Sequence, residues 1–161
     1  MRLLGALGIA VVLSLSMCNA DQSSASVDAA RTTLADLTAR LDRDEISRVE
    51  ILNVPPHVWT RVAITPETID AVYAYKFTIR DLRNGLYQRE LARAVKTLSV
   101  GSRDDLAEVR WGIIFYDAAD QRVAGIYFGR GGGDGAIDQN PVVIRGELYD
   151  WLNEQFSALF R

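Results

Sequence analysis

The chain is poor in the residues from which most chemical sites are built. Its 161 residues include one cysteine, Cys18, one histidine, His57, and four prolines. A lone cysteine excludes an internal disulfide framework, and one His with one Cys excludes a zinc site of ordinary composition, which takes several such ligands. No Gly-x-Ser-x-Gly elbow occurs, and no glycine-rich stretch ends in Gly-Lys-Ser/Thr. The familiar serine-hydrolase and nucleotide-loop signatures are therefore absent. There is no Asn-x-Ser/Thr acceptor and no apolar run of about 20 residues, the length a membrane-spanning helix needs. Positive charge is not in excess either: the formal net charge is −3, the wrong sign for a nucleic-acid footprint.

What is present is the balance of one ordinary globular domain, 48% hydrophobic and 24% charged. A chain of this length buries enough surface to hold a core without bridges or metals. The N-terminus reads as a bacterial-type export signal over residues 1–20: Met1-Arg2, an apolar run from Leu3 to Met17, then small residues at Cys18-Asn19-Ala20. Two processing sites compete. Cleavage after Ala20 removes all sulfur and leaves 17 basic against 21 acidic residues. Alternatively, Leu15-Ser16-Met17-Cys18 resembles a lipobox, departing from it at Met17, and Cys18 is then the lipidation candidate. Either way the expectation is an exported protein, periplasmic or lipid-anchored, touching membrane only through a lipid on Cys18.

Residues 21–26 are small and polar and read as a tether, with 27–161 as a single domain. Val27, Ala30, Leu34, Leu37 and Leu41 recur in steps of three and four, the stripe of an amphipathic helix, with Ser26 as its N-cap. Ser47 to Val54 reads as a strand ended by Pro55-Pro56, and Arg61 to Ile64 as a short edge strand. Thr65-Pro66-Glu67-Thr68 starts a brief helix with Thr65 at the cap. Tyr75, Phe77 and Ile79 alternate as a strand does, Asn84-Gly85 is a turn signal, and Tyr87, Leu91, Ala94, Val95 and Leu98 line a helix. Val109 to Phe115 and Val123 to Phe128 form a hairpin. Gly129 to Gly135 reads as a flexible connection to a short strand at Pro141 to Ile144, and Leu148 to Phe160 as a closing helix. The sum predicts an α+β fold: one antiparallel or mixed sheet of about four to five strands around a central hairpin, with N- and C-terminal helices and the helices on one face.

Candidate chemistry is thin. His57, between Pro56 and Val58-Trp59, is a possible base with no nucleophile assigned to it. Asp134 and Asp138, beside flexible glycines, are the best oxygen ligands for a hard cation, although their spacing fails the EF-hand pattern. Arg130 and the glycines around it suit an anion or a partner. Asp104, Asp105 and Glu108, or Asp117 and Asp120, lack the context of a glycosidase pair. The clearest asymmetry is electrostatic: residues 76–96 carry six basic side chains against two acidic ones. Arg89, Arg93 and Lys96 share a helix face there, a patch suited to an acidic partner. No cofactor is implied and oligomeric state is not readable. The expectation is therefore a protein that binds another macromolecule, most concretely an immunity- or inhibitor-type protein. It would act through Arg89, Arg93, Lys96, Arg130 and Asp134, around the glycine loop and the hairpin tip. The alternatives are a small enzyme using His57 or Asp134 with Asp138, or a ligand-binding or structural envelope lipoprotein.

Overall fold

The computed structural model describes residues 7–80, 86–103, 105 and 108–156, with side-chain surroundings from residue 24 onward and excluding 86–88. Seven strands form one sheet: β1 (Ile46–Asn53), β2 (Tyr75–Arg80), β3 (Ser99–Ser102), β4 (Val109–Asp117), β5 (Arg122–Gly129), β6 (Asp134–Ile137) and β7 (Asn140–Arg145). Their order is β2-β1-β4-β5-β6-β7-β3, and every neighbouring pair is antiparallel. The helices are α1 (Leu7–Asp42), the one-turn α2 (Ile69–Val72), α3 (Leu86–Lys96) and α4 (Leu148–Phe156). The α+β class, the central hairpin and the terminal helices agree with the sequence reading. The strand count does not.

Strand alternation separates two faces. On the first, Val49, Ile51, Trp111, Ile113, Phe115, Ala124, Ile126 and Phe128 meet α1, α3 and α4 in the main core. The expected stripe of α1 is in place, with Val27, Ala30, Leu34 and Leu37 buried and Leu41 packed against them. Ser26, however, is not a cap, and residues 21–26 are helical. From Ile9 to Asp42 the sequence holds neither glycine nor proline, so nothing interrupts the helix. It ends beyond Asp42 in a Schellman pattern: Asp44 takes a left-handed φ of 55°, its amide donates to Leu41 O, and the Glu45 amide donates to Arg40 O. Among the described residues no helix is long and apolar enough to cross a membrane.

The second face is covered by chain rather than by full-length helices. Leu52, Ile114, Tyr127 and Ala136 pack there against Val54, Ile64 and Ile69 from the β1–β2 connection. That corrects the expectation of a sheet covered on one side only. It also explains why Arg61 to Ile64 is not a strand: Ile64 serves as an anchor, buried and accepting the Val109 amide at 2.9 Å. The short helix begins at Ile69 with Thr68 before it, although its turn starts where Thr65 was expected, since Thr65 O accepts from the amides of Thr68 and Ile69.

Strand β6 begins within what reads as a flexible glycine connection, at Asp134 and Gly135, and runs on to Ile137. Gly135 pairs with Phe128, and a Cβ there would fall 1.9 Å from Tyr127 O, so strand contact itself requires the glycine. Gly132, with φ of 78°, sits beneath the Tyr149 ring. The Asn84-Gly85 turn, Asp104, and Leu159 and Phe160 of the closing helix lie outside the described residues.

Candidate functional site

The structure separates the residues singled out in the sequence. Asp134 opens β6 and pairs with Arg103, which also bonds Asp105. Asp138 lies beyond the other end of the same strand. Four residues of extended chain put them about 13 Å apart, too far to share a cation or act as one acid–base pair. Asp138 is a turn latch: its Oδ1 accepts from the Gly125 amide at 2.8 Å and from Arg122 at 3.2 Å, while its own amide donates to Gly125 O at 2.7 Å. Among the described residues no group of three His, Cys, Asp or Glu is arranged to hold a metal.

The basic helix face meets acids from elsewhere in the fold. Arg93 stands 3.7 Å from Glu147, Lys96 pairs with Asp42 of α1, and Arg89 is exposed. Arg130 is exposed, and its carbonyl accepts the Tyr149 hydroxyl at 2.8 Å. Cys18 lies within α1, without described side-chain surroundings. His57 is exposed on the β1–β2 connection.

That connection, residues 54–74, is the most unusual surface. It is pinned to the sheet by Arg110, a guanidinium only 4% exposed that donates to Val58 O at 2.8 Å, to Pro55 O at 3.4 Å and to Glu108 Oε1 at 2.7 Å. The Val54 amide donates to Arg110 O at 2.9 Å, and buried Ile64 and Ile69 hold the far side. Between these anchors the chain lifts outward. Trp59 is 85% exposed and Val62 78% exposed, with Thr60 Oγ1 donating to Val62 O at 2.7 Å across the crown. Val72, Tyr73 and Tyr75 continue the partly exposed apolar surface toward β2. A single exposed side chain means little, but two large apolar residues held outward by a buried cation form an organised patch. The sequence contained one hint, an aromatic beside a proline stop. Nothing in it showed that Arg110, fifty residues later, anchors the loop.

A second polar cluster occupies the opposite end of β1. Arg48 bonds Glu50, Glu50 Oε1 accepts from Lys76 at 2.8 Å, and Glu50 Oε2 accepts from Tyr116 at 3.2 Å. The Arg48 guanidinium lies 3.6 Å over the Tyr116 ring and reaches Asp120 on the β4–β5 turn. Burial, then the Glu50 charge, pushes the Tyr116 hydroxyl above its usual pKa, and the bond to Glu50 raises that of Lys76. Comparison with family models, with curated proteins and with solved structures found no match. The fold defines the class: a single α+β domain on a seven-stranded antiparallel sheet.

Proposed function

We propose that this protein works by binding another macromolecule, most concretely as an immunity- or inhibitor-type protein that neutralises an exported partner. The observation that carries the reading is the Trp59–Val62 crown, turned to solvent above a base that Arg110 anchors through Pro55 O and Val58 O. Tryptophan in a pre-organised loop has the character of an interface anchor, since it contributes large contact area with few torsions to freeze. The enzymatic alternative has less behind it, because Asp134 and Asp138 are apart and His57 stands exposed beside the crown. Export is part of the same proposal, and the Met1–Ala20 sequence pattern supports it. A mature chain starting at Asp21 supports simple secretion, whereas acylated Cys18 supports the lipoprotein form.

The test is capture with the tagged full-length chain from the envelope fraction of its source cells, in parallel with Trp59→Ala. A stoichiometric partner should be retained by the unmodified chain and weakened about 30-fold by the substitution, the effect of losing a hot-spot aromatic. Because Trp59 packs on so little, thermal stability should stay within about 0.5 kcal/mol. Equal retention by both proteins would defeat the crown as the binding surface.

A further inference from the structure

Arg48 of β1 and Arg80 of β2 stand directly opposite one another in the β1–β2 ladder, so their charges project from the same face. Together with Ser47, Glu50, Asp117, Ala118 and Asp120 they line an open cleft of about 640 Å³. The two arginines differ in what answers them. Arg48, with 13% of its side chain exposed, is satisfied on all sides: Glu50 at Nη1, the Tyr116 ring beneath, and Asp120 Oδ1 at 2.9 Å from Nε and 2.7 Å from Nη2. Arg80 is exposed and has no ion pair among the described residues.

The acids of the cleft also differ. Glu50, with 12% of its side chain exposed, is held by Arg48, Lys76 and Tyr116. Asp117 is committed to its own turn, its Oδ1 accepting from the amides of Ala119 and Gln121 at 2.9 Å each. Asp120 alone is peripheral: 75% exposed, at a left-handed φ of 62° in the hairpin turn, and joined to the cluster only through Oδ1. With Asp120 swung out, Arg48, Lys76 and Arg80 face Glu50 and Asp117, an excess of one positive charge among the described residues.

We propose that the cleft between Arg48 and Arg80 is a binding site for a single carboxylate, and that Asp120 occupies that carboxylate's place until a ligand displaces it. The forked, planar guanidinium of Arg48 receives one oxygen, Asp120 Oδ1, at both Nε and Nη2, whereas a carboxylate free of the hairpin can set one oxygen on each, the geometry this group favours. Arg80, one strand away, supplies the second cation. A monoanion restores neutrality, whereas a phosphate dianion overshoots it and is brought against Glu50 and Asp117. The site stands apart from the Trp59 crown, at the other end of β1, and does not depend on it.

Acetate is the probe, titrated into the full-length chain at constant ionic strength with chloride as the compensating anion, and read on the arginine Nε–H resonances. Asp120→Asn keeps a residue that accepts the left-handed turn while removing the internal carboxylate. In that variant the Arg48 Nε–H resonance should shift saturably, with affinity about tenfold above that of the unmodified chain, and Arg80→Gln in the same background should abolish saturation. In the unmodified chain, high acetate should shift the Asp120 carboxylate carbon as it is released, a reading that needs no altered hairpin. No saturable shift in Asp120→Asn, or an unchanged one after Arg80→Gln, would overturn the site. Inorganic phosphate binding as tightly as acetate would overturn its assignment to a carboxylate.

Discussion

Tyr127 shows how a single residue can be accommodated and still leave an unmet requirement. Its ring is fully buried on the second face of the sheet, over Gly112 and Gly125, where a Cβ would meet the ring or hydroxyl at about 3 Å or less. Its hydroxyl has no hydrogen-bond partner of good geometry, and burial pushes its pKa up to about 12, with Arg122 tempering the shift. An acid whose folded pKa lies above its unfolded value stabilises the fold below the unfolded value. That stabilisation is lost as pH rises through the folded one. Lys76 and Tyr116, both raised, act in the same alkaline direction. Unfolding followed by denaturant from pH 9 to 12 should therefore show steep loss of stability above pH 10. Tyr127→Phe should remove about 2 kcal/mol of that loss and leave stability at pH 7 unchanged or slightly raised, since no hydrogen bond is given up.

At the level of elements, the β1–β2 connection behaves as a structural layer, despite reading as a loop. Its backbone depends on Arg110, whose side chain is a buried cation with three oxygen acceptors. Arg110→Ala should cost about 2 kcal/mol, because the carbonyls of Pro55 and Val58 lose their donor in a buried setting. Its distinguishing effect should be local: hydrogen exchange over residues 55–63 should quicken more than in the sheet. Uniform acceleration across the molecule would mean that Arg110 supports the core generally. The glycine loop makes the converse point. Gly132 beneath Tyr149 and Gly135 against Tyr127 O serve close packing, so these two mark contact, whereas Gly131 and Gly133 border open space.

For the whole molecule, the arrangement of the sheet predicts the order in which it opens. Strands β1, β4 and β5 lie inside it, with the main core on one face and the Leu52–Ile114–Tyr127 cluster on the other. Strands β2 and β3 are its edges, and both are largely exposed or half-buried. Amide exchange under native conditions should be slowest in β1, β4 and β5 and fastest in β2 and β3. Equal protection at the edges would show that something further covers them.

Helical periodicity in Val27 to Leu41 and strand alternation in Val109 to Phe128 were legible because they are local repeats, written at periods of about 3.6 and 2 residues. They determine the α+β class, the central hairpin and the helix that covers the first face. The residues 134–137 were not readable as a strand, because two small residues and two ordinary ones carry no period. Their strand exists through pairing with β5 and β7. The same limit governed the candidate sites. Asp134 and Asp138 were grouped by nearness in sequence, whereas strand extension separates them; Arg89, Arg93 and Lys96 were grouped by a shared helix face, and acids from α1 and the β7–α4 connection meet Lys96 and Arg93. Arg110 beneath the Trp59 loop and Arg48 opposite Arg80 could be found only in the folded chain. An ion pair or anchor depends on distance in space, and sequence periodicity records only which face a residue shares with its near neighbours.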